Sequence, residues 1–414
     1  MTATLAGSHA ALKTLYPKGA MPKSIQEMFI LLKRMKKETN FVGELAYVPL
    51  QNANSQGSSA VFTSAQGNVF QGNYVRFALT RVKHYGIARV DGEAAEAAVE
   101  DEGAMVDLWE NETKGAAVTE MSCLATYVYG NGDGVLGALL SGNNTTTVTL
   151  ATDTNMNYFE LNMTLGAVSA RGFASTVRTG TIRVVGIDRV NRTLTFAVVA
   201  NGGSGISGLL NTDFFVRAGD SHNAGSPSVI TGLDEYVRGG SATDLPGTLF
   251  GLNRNSDITR LAGQARDYTG WAMEDAVVDA SAAQGFQGIG YANVLVANNT
   301  DIANMKKSLS PKIIYNRPGG AEAKYGFSSL TIEGENGPIE VLADPFCPRN
   351  KAFLLKLDQF SLFSLKAAPH IAQLDENRFL RLTDADTYEI RFATYGNVKC
   401  KNPGPHIKLV NFGL

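Results

Sequence analysis

The sequence predicts an α+β protein, and three observations carry that expectation. Residues 91–121, DGEAAEAAVEDEGAMVDLWENETKGAAVTEM, are acidic, rich in alanine and free of proline, and read as one long helix. Before them, GELAYVPL and NYVRFALTRVKHYGIARV are strand-like in their β-branched and aromatic content. After them, strand-like segments run from about Ser141 to Asp220, and a mixture of helical and strand patterns returns from about Ser226.

In chain order, residues 1–23 read as an extended arm. SIQEMFILLKRMKK follows as a helix, with Ser24 and Glu27 as a capping box. Ile25, Met28, Phe29, Leu32 and Met35 share its apolar face. Lys33, Arg34, Lys36 and Lys37 fill its last turn, where the helix dipole favours cations. Seven Lys/Arg against two Asp/Glu give residues 1–40 a local charge of +5. Gln51 to Gly72, QNANSQGSSAVFTSAQGNVFQG, carries no charge and reads as a long loop of the kind that is usually functional or disordered.

The acidic helix starts at Asp91, which can cap it, and runs to about Tyr129. That is about 38 residues, or about 57 Å at the α-helical rise, comparable with the diameter of a compact chain of this length. Its apolar line is narrow: Ala94, Ala98, Met105, Trp109, Ala116, Ala117, Met121, Leu124 and Val128. Such a stripe suits packing on one face of a sheet. Ten Asp/Glu against one Lys give residues 91–121 a local charge of -9, and the whole predicts an elongated or flattened subunit. GNGDG ends the helix. The segments TTTVTLATD, YFELNMTLGAV, GTIRVVGID, RTLTFAVVA and DFFVRAGD predict a small β-barrel or sandwich, with a hairpin at DRVNR that places Leu194, Phe196 and Val198 on one face. WAMEDAVVDASAAQG is a predicted helix and YANVLVA a buried strand. NTDIANMKKSL is a second helix, capped by Thr300 or Asp301. SLTIEG, PIEVLAD, AFLLKLDQFSLFSL, TYEIRFATYGNVKC and HIKLVNF are strands, with ENGP and CPRN as turns between the first three.

Signs of chemistry are sparse. A net charge of -2 argues against a general nucleic-acid binder. Cys123, Cys347 and Cys400 lack C-x-x-C spacing and read as reduced thiols. No stretch approaches the roughly 18 apolar residues of a membrane span, and the N-terminus lacks a signal-peptide pattern. His9, His84, His222, His370 and His406 are scattered, so no metal site is expected. Gly132, Gly134 and Gly137 match G-x-G-x-x-G, but a helix is expected before them and strands after them. The dinucleotide fingerprint requires the reverse, so the glycines read as a turn. NGDG fails as a calcium loop because the first and last ligand positions would be Tyr129 and Leu140. No catalytic residue and no cofactor is expected, and the chain does not read as an enzyme. A basic arm, an uncharged loop and an acidic helix are parts for touching neighbours.

The order of these parts resembles the major capsid proteins of tailed bacteriophages, the Hong Kong ninety-seven fold. The wording of VKHYGIARVDGEAAEAA, GTLFGLNRNSDITRLAG, PIEVLADPFCPRNKAFLLKLDQF and RFATYGNVKCKNPG is similar to that family too. The resemblance implies an N-terminal arm at 1–42, the E-loop and peripheral-domain strands at 43–90, and a spine helix at 91–130. It further implies a β-barrel-like insertion domain at 141–225, and an axial domain with the return strands of the peripheral domain at 226–414. The implied function is that of a major capsid protein, self-assembling into an icosahedral head shell around double-stranded DNA. The implied partners are further copies in hexamers and pentamers, a separate scaffolding protein, a portal, a decoration protein and nonspecifically held DNA, with no membrane. The implied location is the virion, assembled in the host bacterial cytoplasm. The candidate inter-subunit contacts are Lys33, Arg34, Lys36 and Lys37 on the basic segment, Phe62 and Phe70 on the loop, and Asp101, Glu102, Asp107 and Glu110 on the acidic helix. Pairing of the basic arm with a neighbour's acidic helix would set register more than affinity. Some family members crosslink through an E-loop lysine. Residues 43–82 contain none, so no such crosslink is expected. With Met1 as the start, no long scaffolding segment is fused. The alternatives are a nanocompartment shell protein of the same fold and a β-rich adhesin or receptor-binding protein.

Overall fold

The computed structural model describes residues 29–93, 108–202, 204–222, 226–237, 247–287, 290–309, 331–373, 379–383 and 385–413. Residues 1–28 of the expected N-terminal arm, with the capping box at Ser24 and Glu27, and residues 94–107 of the acidic helix lie outside them. The chain divides into two compact units. The smaller holds residues 85–119 and 371–392, and the larger holds 27–84, 120–370 and 393–414. The strands Val82–Asp91 and Thr387–Cys400 and the helix Leu108–Tyr127 contribute residues to both.

In the smaller unit, Val82–Asp91 pairs with Thr387–Cys400, and the short strand Leu380–Arg381 pairs with Tyr388 and Glu389. The strict alternation along the first of these strands buries Ala88 and Val90 and exposes Tyr85, Ile87 and Arg89. Ala88, Ile390 and Phe392 form a small core, against which Ala116 and Ala117 of the helix pack. The two alanines belong to the stripe read from the sequence. On the opposite face Glu389 is buried between Arg89, at 2.7 Å, and Arg391. Hydrogen bonds to Arg391, and then to Arg89, hold its carboxyl below the usual range against the opposing effect of burial. The strand ends where the Gly92 amide donates to the Asp386 carbonyl at 2.8 Å. A Cβ on Gly92 would sit 2.6 Å from an Asp386 carboxylate oxygen, the exposed end of a side chain that would have to turn aside.

The larger unit contains a six-stranded mixed sheet in the order Gln264–Asp267, Ile407–Val410, Lys351–Leu355, Val294–Ala297, Gly337–Ala343 and Thr331–Gly334. The helices Met273–Gln287 and Asn299–Leu309 cover one face. Ala276, Val277, Ala280, Ile302 and Met305 meet Leu295, Ala297, Ala352, Leu354, Ile407 and Leu409 there. Both helices and the strand Val294–Ala297, buried at all four positions, lie where the periodicity put them. The cap of the second helix differs from expectation: the Asn298 side chain accepts from the Thr300 amide at 3.0 Å. Asp301 instead accepts from the Asn350 amide at 2.9 Å.

A second module is a closed antiparallel barrel. Its strands run, around the wall, Phe214–Arg217, Val135–Ser141, Thr147–Leu150, Thr193–Phe196, Ile182–Asp188 and Thr164–Val168. Closure leaves no free sheet edge. Leu139, Val148, Leu150, Leu165, Ile182, Val184, Leu194, Phe196 and Phe215 are all buried, and the rings of Phe196 and Phe215 lie 5.9 Å apart. The DRVNR hairpin forms, with Arg192 at φ 56° and Leu194 and Phe196 facing inward; the strand ends at Phe196, so Val198 lies beyond the expected face. The chain enters the barrel through Gly132 and Gly134, both at positive φ. A Cβ on Gly134 would lie 2.1 Å from the Asp220 carbonyl oxygen. A helix precedes these glycines and a strand follows, as the turn reading requires.

The basic segment departs from expectation. Its described helix covers only Ile30–Arg34, and Lys36–Glu38 is a strand running parallel to Ser361–Phe363. The buried Asp344 carboxylate explains the docking: it accepts from the Leu31 amide at 2.8 Å, the Phe346 amide at 2.9 Å and the Tyr129 hydroxyl at 2.9 Å. Leu31, Leu32 and Met35 are buried beneath this anchor. The open edge of Phe360–Ser364 then offers the chain a ladder that further helix would forgo. Lys36 and Lys37 are thus strand residues.

Candidate subunit interface

The loop expected at Gln51–Gly72 is the far end of a two-stranded hairpin. Leu45–Ala53 pairs antiparallel with Asn73–Thr80, in register from Leu45 opposite Thr80 to Gln51 opposite Tyr74, with a bulge at Asn52 before Ala53 faces Asn73. Gln56 and Phe70 exchange two backbone hydrogen bonds of 3.0 Å, which closes the end. A short helix, Phe62–Gly67, occupies what the sequence presented as loop. FTSAQG has neither a charge pattern nor an apolar period, so nothing in the sequence announced it.

The hairpin is held along its length. The Ala78 amide donates to the Phe250 carbonyl at 3.0 Å, and Arg260 donates to the Asn52 carbonyl at 2.6 Å. Arg81 donates to the Gly43 carbonyl at 3.0 Å. At the root, Phe41 stacks on Phe363 at 4.8 Å with Leu79 beside them, all buried. At the end the pattern inverts: Val61 is 57% exposed, Phe62 75%, Val69 67% and Phe70 70%. Tyr47 and Tyr74 are exposed along the strands, with the Arg76 guanidinium 4.2 Å from the Tyr47 ring centre. Large apolar side chains thus stand exposed together on an anchored projection without charge between Gln51 and Gly72, a pattern that interaction surfaces share. A partner covering them would strip water from no charged group. Phe62 and Phe70 were identified from the sequence, whereas Val61, Val69 and Tyr74 join them only through the folding of the end.

The basic candidates separate into two pairs. Arg34 donates to Glu340 at 2.7 Å, and Lys36 lies 3.4 Å from Glu38, which also binds Lys399 at 2.6 Å. Lys33 and Lys37 are exposed, with no acid partner among the described residues. Asp101, Glu102 and Asp107 lie outside the described residues. Glu110 lies in the helix Leu108–Tyr127.

A largely buried polar cluster in the larger unit gathers around His84. The two ring nitrogens of His84 face Glu120 at 2.8 Å and Asp220 at 3.4 Å. The Tyr127 hydroxyl donates to Asp220, and the Thr394 hydroxyl donates to Glu120 at 3.0 Å. Burial alone would push the His84 imidazolium down, but the hydrogen bonds to Asp220 and Glu120 outweigh it and raise its pKa to about 9. A clamped imidazolium is a poor general base at neutral pH. The three cysteines are buried, and burial pushes the Cys123 thiol up to about 12 and those of Cys347 and Cys400 higher still, which makes them unreactive. His406, buried, is pushed down to about 3. Among the described residues no group of His, Cys, Asp or Glu is arranged to hold a metal ion, and no helix is long and apolar enough to cross a membrane.

No protein-family model matches the sequence, and none of the curated proteins does. Solved structures do match, over nearly the whole chain. A subunit of the cyanophage A-1(L) capsid aligns with a TM-score of 0.59 and 12% identity, covering 97% of this chain and 98% of that one. A subunit from the capsid of a native GTA particle aligns at 0.51 and 9% identity, covering 100% of both. The SrpI encapsulin of Synechococcus elongatus aligns at 0.47 and 7% identity over 100% of this chain and 96% of that one, too loose a likeness to argue from. The fold is therefore that of phage capsid proteins. The mixture of helix and sheet agrees with that fold, as the resemblance in the sequence implied.

Proposed function

We propose that the chain is the major capsid protein of a tailed bacteriophage, self-assembling through hexamers and pentamers into an icosahedral head that encloses double-stranded DNA. The observation that carries this reading is the hairpin, held firmly along Leu45–Ala53 and Asn73–Thr80 while Val61, Phe62, Val69 and Phe70 stand in water. A second copy is the natural cover for a surface that every subunit presents. In this reading residues 43–90 supply the E-loop and peripheral strands, 91–130 the spine, 141–225 the insertion domain, and 226–414 the axial domain and return strands. The arm at 1–42 brings Lys33 and Lys37 to the acids of a neighbour's helix, Asp101, Glu102, Asp107 and Glu110 among them. The subunit works as a structural protein and not as an enzyme. A separate scaffolding protein, a portal and a decoration protein complete the head.

Electron microscopy of the expressed chain, alone and with a scaffolding protein from the same genome, tests this directly. Closed shells holding nuclease-protected DNA are expected from a phage head. Closed shells holding a protein cargo would instead mark a nanocompartment. A monomer or small oligomer under every condition, by light scattering, would reject both.

A further inference from the structure

Residues 247–261 of the larger unit, GTLFGLNRNSDITRL, contain one residue that breaks a local rule. Thr248–Leu249 and Leu252–Asn253 pair across a two-residue turn, and both turn residues have positive φ, Phe250 at 47° and Gly251 at 78°. Turns of this kind favour Asn-Gly, because a Cβ in the left-handed region crowds the carbonyl that follows it. Phe250 is the only aromatic residue at positive φ among the described residues. Strained residues of this sort persist only where their surroundings over-determine them, and they gather where geometry is being set for function.

What the strained turn holds is the hairpin. The Phe250 carbonyl accepts from the Ala78 amide at 3.0 Å, on the edge of Asn73–Thr80 that its partner strand leaves open. The Phe250 ring packs on the root core of Phe41, Leu79 and Phe363, with its centre 6.2 Å from that of Tyr236. A second grip lies further out, where Arg260 donates to the carbonyl of the bulged Asn52 at 2.6 Å. About 17 Å of strand separates Asn52 from Tyr47, the residue that faces Ala78. The base of the segment is fixed by a buried cation. Arg254 is fully buried, and its guanidinium donates to the Glu235 carbonyl at 2.7 Å and to the Glu235 carboxylate at 3.0 Å. Its amide donates to the Gly247 carbonyl at 3.0 Å, and the Asn255 side chain accepts from the Gly247 amide at 2.9 Å, which closes the segment on itself.

A single hydrogen bond would leave the hairpin free to pivot. Two grips spaced along it, with an aromatic ring in its root, remove that rotation. We propose that residues 247–261 form a bracket that sets the direction in which the hairpin projects, with Phe250 as its positioning residue and Arg254 holding the bracket to the body of the unit. The rigid planar fork of an arginine suits such a buried, paired position. The consequence rests on the assembly reading: a projection that must meet the same surface on every neighbour works only if each copy holds it at the same angle.

The test is hydrogen exchange of the unassembled full-length chain, read peptide by peptide, alongside the yield of closed shells. Phe250→Asn suits the turn, keeps the carbonyl and removes the ring. Exchange across 45–53 and 73–80 should rise about tenfold or more in this variant, while the buried strand Val294–Ala297 keeps its protection. Arg260→Gln, at a half-exposed side chain, leaves the core intact and should raise exchange several-fold around Asn52 alone. Shell yield from Phe250→Asn should fall several-fold. Parent-like protection of the hairpin in both variants, or an equal loss of protection at Val294–Ala297, overturns the bracket. A loosened hairpin with the parent's shell yield overturns the positioning role. A parent that forms no shells under any condition fails the assembly reading instead, and the exchange result then decides the bracket by itself.

Discussion

Two β modules of the larger unit handle their apolar residues in opposite ways. The barrel closes on itself and buries Phe196 and Phe215, whereas the hairpin ends in Phe62 and Phe70 at 75% and 70% exposure. The same residue type is thus a folding element in one and, on the proposed reading, an association element in the other. Truncation should separate them. Phe215→Ala should cost about 3–5 kcal/mol of stability and lower the yield of folded chain. The double substitution Phe62→Ser and Phe70→Ser should leave thermal unfolding within about 1 °C while shell yield falls at least tenfold, since burying each ring against a neighbour is worth about 1.5–3 kcal/mol. Normal shells from the double variant would erase the contrast and remove the hairpin from the interface.

The cluster at His84 ties the roots of the two modules together. His84 follows the hairpin's second strand, Asp220 follows the barrel's last strand, and Glu120 stands on the helix that leads to the barrel. The folded-state pKa of about 9 lies above the unfolded value near 6.5. The folded state therefore holds the proton more tightly, and the stabilisation is complete below about pH 6.5. It falls as pH rises and is lost once pH passes 9, a change on the order of 3 kcal/mol. Unfolding in denaturant at pH 6, 7.5 and 9 should show this slope. His84→Gln should flatten it. A slope that survives in that variant would move the effect to other groups.

Legibility followed the range of the interactions involved. The helices Met273–Gln287 and Asn299–Leu309, the buried strand Val294–Ala297 and the DRVNR hairpin are set by local period and turn chemistry, and the sequence shows them. The end of the helix at Ile30–Arg34 is not local: it depends on Asp344, 313 residues away, and on a strand edge at Ser361–Phe363. The helix Phe62–Gly67 depends on the backbone pairing of Gln56 with Phe70, which no residue pattern signals. Of the candidate contacts, Phe62 and Phe70 stood out as large apolar residues in an uncharged stretch. The division of the basic group did not, because it requires knowing that Glu340 and Glu38 lie beside Arg34 and Lys36.

That division allows the smallest effect to be argued through. Arg34 and Glu340 are about half exposed, so their pair is screened by solvent and contributes about 0.2–1 kcal/mol. Glu340→Gln should therefore barely move the unfolding midpoint. Lys33 and Lys37 have no such partner, and reversing both to Glu should leave the monomer folded. If they meet a neighbour's acids, the reversal should slow shell assembly, and the salt dependence of the assembly rate should weaken or change sign, because long-range attraction acts mainly on encounter. The hairpin substitutions, by contrast, should lower yield at every salt concentration, since apolar burial is not screened. Identical assembly rates for the Lys33→Glu, Lys37→Glu variant and the parent, from low to high salt, would confine the interface to the hairpin and leave the basic segment as a docking strand of its own subunit.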